Sequence, residues 1–152
     1  MNIVIIEGDW MEREIQREDL RKAFPGVNLI EIKTAGDFLI ALANLPAANT
    51  VVVMEHYLAL GEVDVDCEEW FEKLEKAFPE ATRDWTHQKA AERLVRHMRK
   101  TGVQTPVVIY THSAIEWIEE DVLQDPRVQY CFKIAELENL IKCVRTALLV
   151  SV

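Results

Sequence analysis

Val51-Val52-Val53-Met54-Glu55 is a run of four apolar residues that ends on a carboxylate. Three successive β-branched side chains are stiff at χ1 and favour a strand. No position in the run alternates to polar, so both faces of that strand need cover, which places it in the middle of a parallel sheet with helices on either side. Ile3-Val4-Ile5-Ile6 and Val107-Val108-Ile109-Tyr110 have the same character. Two further runs, Val27-Asn28-Leu29-Ile30-Glu31-Ile32 and Val128-Gln129-Tyr130-Cys131-Phe132, are interrupted by polar residues and bring the expected strand count to five.

Between these runs the apolar spacing becomes helical. The pattern predicts helices from Met11 to Phe24, closed by Pro25-Gly26, and from Gly36 to Leu45, closed by Pro46. It predicts others from Arg83 to Lys100, closed by Gly102, from Ser113 to Leu123, and from Ala135 to Leu149, where Leu137, Leu140, Ile141, Val144 and Leu148 form a one-sided stripe. Strand and helix in alternation imply a doubly wound α/β fold with right-handed crossovers, and in such folds ligands gather at the carboxyl ends of the strands. The segment 57–82 breaks the rhythm. It carries the acidic stretch Gly61-Glu62-Val63-Asp64-Val65-Asp66 and then one more expected amphipathic helix, with Asp66 and Glu69 in capping-box spacing and Trp70, Phe71, Leu74, Ala77 and Phe78 on one face. That stripe is expected to pack on the body of its own domain, because left open it would be an aggregation liability.

A chain of 152 residues fits one domain, 1–152, and should bury roughly 70% of the surface it exposes when unfolded. Its net charge of −9 offers no basic face for a phosphate backbone, which argues against a nucleic-acid partner. No apolar run reaches the length of a membrane span, and Glu7 interrupts the amino terminus too early for a signal peptide, so the expected location is the cytoplasm. Cys67, Cys131 and Cys143 are odd in number and lack CxxC spacing, which fits reduced thiols used as small hydrophobes.

Reading the strand ends in order gives Glu7-Gly8-Asp9, Glu55-His56, Thr111-His112-Ser113 and Lys133. This order resembles the receiver domain of two-component response regulators, over nearly the whole chain apart from the insertion. The resemblance implies a flavodoxin-like sheet in the order 2-1-3-4-5. It also implies roles: an acidic pair after strand one and an aspartate after strand three that hold Mg²⁺, the aspartate taking the phosphoryl group, a Thr or Ser after strand four and a Lys after strand five that contact that group, and an aromatic that reorients. Thr111 and Lys133 correspond to the contact residues, 22 positions apart, and Tyr130 to the aromatic, for which core packing is the plainer use.

The departures fall on the chemistry. Gly8 stands where the second acid of the pair belongs, Glu55 stands at the acceptor position, and Ile134 replaces a proline that commonly follows the lysine. Mg²⁺ demands near-ideal octahedral oxygen coordination, so a missing carboxylate and a lengthened one weaken its site; Glu7, Asp9 and Glu55 are the candidate ligands if a metal binds, and Asp9 would replace the absent acid if the strand ran on past Glu7. Phosphoryl transfer depends on placement to within about 1 Å, which makes Glu55 a poor acceptor. What Glu55 can do is pair with Lys133, a contact worth roughly 4 kcal/mol at an effective dielectric near 20 before desolvation is counted.

The expected function is therefore an atypical stand-alone signalling module, not an enzyme, that needs no cofactor and docks to a protein partner such as a histidine kinase or an effector, with no output domain following. Homodimers are a further option, since the family's fourth helix and last strand form a common dimer face that Trp117, Ile118 and Val122 would supply if they do not simply cover the sheet. Two rivals remain open: a phosphorylation-competent regulator with an unusual Mg²⁺ site, and a metal-dependent hydrolase using His56, His112 and neighbouring acids.

Overall fold

The computed structural model describes residues 1–62, 68–133 and 138–150. Five strands, β1 (Asn2–Ile6), β2 (Asn28–Ile32), β3 (Thr50–Met54), β4 (Val107–Thr111) and β5 (Val128–Phe132), pair in parallel in the order β2-β1-β3-β4-β5. The three strands that read as apolar on both faces occupy the middle of the sheet, and every residue of β3 and β4 is buried. Alternation then divides the core. Val4, Ile6, Val52, Met54, Val107 and Ile109 face one side, and Ile3, Ile5, Val51, Val53, Val108 and Tyr110 face the other.

The first side is covered by α2 (Ala35–Ala41) through Phe38 and Leu39, and by α5 (Ala90–Lys100) through Leu94, Val95 and Met98. The second is covered by α1 (Trp10–Ala23) through Leu20 and by α7 (Glu138–Val150) through Leu140, Val144 and Ala147. Leu94 is fully buried, and truncating such a side chain to Ala costs about 2–5 kcal/mol. Cys131 lies buried in the second layer with Cys143 packed against it, both as free thiols; Cys67 lies outside the described residues.

Local chemistry moves several helix ends away from the expectation. The helix expected from Arg83 begins only at Ala90, because Asp84 adopts a left-handed conformation at φ 48° and a 3₁₀ turn, His87–Lys89, precedes the first α-turn. The helix expected over 113–123 does not form. Ser113 donates its backbone N–H to Thr111 Oγ1 and Ala114 is extended, so only a 3₁₀ turn at Ile115–Trp117 and the short α6 (Glu120–Leu123) remain. At Gly26 the chain turns with φ at +77°, a conformation that ends α1 and that a side chain would strain. The last helix is described from Glu138, so the expected start at Ala135 falls outside the described residues.

Among its described residues the segment 57–82 holds two helices where one was expected, α3 (Glu68–Ala77) and α4 (Pro79–Thr82), divided at Phe78 and restarted by Pro79 at the first helical position. Leu74 is buried and Trp70, Phe71 and Phe78 are half-buried. The Trp70 ring lies against Gly36 and Gly61 so closely that a Cβ at either glycine would collide with it. The stripe therefore packs inward, against α2. The Asp66 half of the expected capping box lies outside the described residues.

Candidate functional site

Sheet register assembles the carboxyl edge. Ile6 is opposite Ile32 on one side and Met54 on the other, and the ladder continues one residue further: Glu7 N–H donates to the Ile32 carbonyl, Glu55 N–H to the Ile6 carbonyl and Lys133 N–H to the Thr111 carbonyl. Glu7, Glu55 and Lys133 thus follow the strand ends side by side, while Thr111 is the last residue of β4. Lys133 Nζ donates to Glu7 Oε2 and to Glu55 Oε2, each at 2.7 Å, and lies 3.8 Å from Glu12 Oε2 and 5.2 Å from the centre of the Tyr110 ring. Burial opposes the ammonium charge, yet Glu55 and then Glu7 outweigh it, and the Lys133 pKa lies above the ordinary lysine value.

The carboxylates are also held from behind. Glu7 Oε1 accepts from the Asp9 backbone N–H at 3.0 Å, and Glu55 Oε1 accepts from the His56 N–H at 2.6 Å. Asp9 does not join Glu7 as a second acid. The strand stops at Ile6, and Asp9 instead caps α1, its Oδ1 accepting from the N–H groups of Met11 and Glu12. The bond from Glu12, aided by that from Met11, holds the Asp9 carboxyl below its usual range.

The Mg²⁺ that the resemblance implies does not fit these residues. The lysine ammonium sits between Glu7 and Glu55 where a bridging cation would have to sit, and the Asp9 oxygen that faces the helix is committed to two amides. Among the described residues no group of three or more His, Cys, Asp or Glu side chains is arranged to hold a metal ion.

A second polar cluster lies one residue along the chain. His56 Nε2 is 2.9 and 3.1 Å from the two carboxylate oxygens of Glu92 on α5, and His56 Nδ1 is 2.9 Å from Ser113 Oγ. Thr111 Oγ1 donates to Ser113 Oγ at 3.2 Å, and Tyr130 OH donates to the Ser113 carbonyl at 2.6 Å. His56, Glu92, Thr111 and Ser113 are all buried. His112 points away from this group and is exposed, with its ring edge-on to Phe132 and its Nε2 3.9 Å from Glu12. The pairing of His56 with His112 about one metal is thereby corrected: successive residues past a strand face opposite ways, and the two rings serve different surroundings.

Sequence reasoning missed Glu92, which lies in a helical pattern as one charge among many. Its one signal is that Glu92 falls between Ala91 and Leu94 on the buried side of α5. Trp117 is 60% exposed, whereas Ile118 and Val122 are core residues, so those two cover the sheet and are not free for a dimer face.

No family model matches the chain, and no curated protein matches it. Solved structures do. A sensor protein from Polaromonas sp. JS666 superposes with a TM-score of 0.66 at 19% identity, covering 99% of this chain and 98% of that one. The Francisella response regulator 1452 receiver domain gives a TM-score of 0.63 at 12% identity, covering 99% and 98%. The fold is that of response regulator receiver domains. The Mn²⁺-bound form of response regulator Rcp1 also matches, with a TM-score of 0.55 at 18% identity over 95% of this chain and 89% of that one.

Within the receiver fold, the carboxyl edge of this chain has an apolar rim. Tyr57, His112 and Trp117 line an open cavity of about 300 Å³ with Glu55 and Thr111. Trp10 and Met11 at the start of α1, Ile115 in the 3₁₀ turn and Phe132 at the end of β5 are also exposed. Among the described residues no helix is long and apolar enough to cross a membrane.

Proposed function

We propose that this chain is a receiver-like signalling module of the cytoplasm that works by docking to another protein, and that its acceptor position is closed by a permanent ion pair rather than by a transient phosphoryl group. The observation that carries the reading is Lys133 Nζ held at 2.7 Å from both Glu7 and Glu55. In this reading Glu55 is the phosphoacceptor equivalent, Thr111 and Lys133 are the phosphoryl-contact equivalents, and Glu7 is what remains of the acidic pocket. The pocket is filled from within, so the surface around it has one arrangement instead of two. Tyr130, whose hydroxyl donates to the Ser113 carbonyl, acts in this reading as a packing residue and not as a switch.

The exposed rim of Trp10, Met11, Trp117 and Phe132 supports docking, since aromatic and Met side chains around a polar centre are the residue types that protein interfaces favour. No reaction and no cofactor are assigned to the module.

The test is incubation with Mg²⁺ and acetyl phosphate, followed by intact mass, in parallel with capture of partners by wild type and by the Glu55→Gln variant. The expected result is no adduct, with partner capture that changes when Glu55 loses its charge. A stoichiometric phosphoryl adduct on Glu55 would replace this reading with that of a working switch.

A further inference from the structure

The second layer of the core holds two nucleophilic side chains that the carboxyl-edge site does not use. Cys131 lies on β5 and is buried, and Cys143 lies half-buried on α7. Gln129 and Cys131, two residues apart, stand on one face of β5 and meet the same stretch of α7. With its amide oriented so that both ends find partners, Gln129 donates to the Cys143 carbonyl oxygen and accepts from the Ala147 N–H, each at 3.2 Å. Those two groups bound one helical turn, so the strand fixes where that turn of α7 sits and with it what the Cys143 side chain meets. Ala147, buried against the same layer, is small and lets the helix come close.

What it meets is Cys131. The Cys131 thiol donates to the Cys143 sulfur, and that hydrogen bond divides the pair chemically. Together with burial it raises the Cys131 pKa well above the ordinary thiol value, and it lowers that of Cys143 to about 7 against the opposing effect of desolvation. Near neutral pH the half-buried sulfur is therefore the one with thiolate character, and the buried one is held beside it as a thiol. A metal does not suit the pair: two sulfurs are too few for zinc, and among the described residues no third His, Cys, Asp or Glu joins them.

We propose that Cys131 and Cys143 form a redox modification site, in which a hydroperoxide oxidises Cys143 and Cys131 resolves the product into an intramolecular disulfide between β5 and α7. In the first step the Cys143 thiolate attacks one peroxide oxygen and the O–O bond breaks. The departing alkoxide or hydroxide takes a proton from water, and Cys143 is left as a sulfenic acid. In the second step the Cys131 sulfur attacks the sulfenic sulfur, the S–O bond breaks, and the hydroxide leaves as water with the Cys131 proton. Two thiols and one hydroperoxide thus become one disulfide, one alcohol (water, where the oxidant is hydrogen peroxide) and one water. A dithiol reverses the change by exchange. The bond ties α7 to the strand that delivers Lys133 two residues further on, so oxidation acts on the element that carries the ammonium of the carboxyl edge.

The experiment treats the reduced, desalted wild-type protein with hydrogen peroxide in about tenfold molar excess at neutral pH, and reads intact mass and a tryptic digest mapped without reduction. The expected result is a monomer lighter by two hydrogens, with peptides 128–133 and 143–145 joined through Cys131 and Cys143 and separated again by dithiothreitol. Cys131→Ser should stop at the sulfenic acid, captured on Cys143 by dimedone, because a serine hydroxyl does not resolve it. Cys143→Ser should leave Cys131 unmodified. The wild-type digest decides the matter by itself if either variant folds poorly. Peptides 128–133 and 143–145 that stay separate after treatment, a bond from either cysteine to Cys67 in place of the expected one, or dimedone capture on Cys131 instead of Cys143 would overturn the proposal.

Discussion

Glu55 and His56 are neighbours in sequence and go to opposite sides of the sheet edge, into two buried clusters built on different terms. Glu55 and Glu7 surround one ammonium, with Glu12 close by, in a pocket that opens to solvent beside Tyr57 and Trp117. His56 sits between Glu92 and Ser113 in a cluster sealed under α5, with each ring nitrogen engaged. The first holds more negative charge than its single cation balances; the second is closed by hydrogen bonds. The carboxyl-edge site has its carboxylates bridged by a side chain of its own, while the buried cluster beside it ties β3, β4 and α5 together.

Placing aspartates at the two positions where the receiver resemblance implies them should break that contrast most completely. A Cβ on Gly8 would meet nothing nearer than the Lys33 carbonyl oxygen at 3.5 Å, an ordinary contact, so the backbone there has room for the Cβ of an aspartate. Combined with Glu55→Asp, which shortens the side chain and frees it from Lys133, the change should reopen the pocket to a divalent cation. The expected outcome is a change from no adduct in wild type to a majority of phosphorylated protein with Mg²⁺ and acetyl phosphate, read by intact mass. If the double variant stays unmodified, the acids are not what closes the site.

Lys133→Met leaves the buried Glu7 carboxylate, and Glu55 with it, facing a methyl group. Breaking a buried pair by removing one partner costs about 3–5 kcal/mol, here measured as a fall in urea midpoint. The pH dependence sharpens the assignment. Because the Lys133 pKa is raised in the folded state, its contribution is fully present below the unfolded value near about 10.4 and is lost as pH rises through the folded value. The wild-type advantage over Lys133→Met should therefore stay level from neutral pH to about 10 and shrink above it. Burial raises the Tyr110 pKa as well, so alkaline unfolding of wild type gains from both groups in the same direction.

In the sealed cluster, Glu92→Gln keeps shape and one acceptor but replaces a charged hydrogen bond to His56 and turns an amide donor towards its surroundings. A loss of about 1–3 kcal/mol is expected, the range for a buried hydrogen-bonding partner that is exchanged for one of the same shape. A loss equal to or larger than that of the lysine variant would mean that the imidazole carries a charge that only Glu92 balances.

The legibility of the two clusters differs for a physical reason. Strand identity followed from apolar runs such as Val51 to Met54, while the strand order came with the resemblance to receiver domains; once the strands were placed, the residues just beyond them, Glu7, Glu55 and Lys133, had to meet at one edge. Glu92 comes from a helix, where a partner is chosen by rotation and by the exact starting residue. That start was displaced from Arg83 to Ala90 by a left-handed Asp84 that no apolar pattern announces. Asp9 failed differently: extrapolating the strand past Ile6 put it beside Glu7, whereas the helix start claimed its carboxylate as a cap. Ser113, expected to begin a helix, is instead held by Thr111 and His56.

The smallest effect expected on stability is that of Glu55→Gln. Lys133 retains Glu7 at 2.7 Å, and the Gln carbonyl can still accept from it, so only the attraction of one partly exposed carboxylate is lost, about 1 kcal/mol or less. The same substitution removes one of the fixed negative charges from the open pocket beside Tyr57 and Trp117, the surface assigned to docking. Partner affinity measured by calorimetry should therefore respond more than the unfolding midpoint, by about tenfold if the charge meets a cation across the interface. Equal and small responses in both would reduce Glu55 to a strut for Lys133.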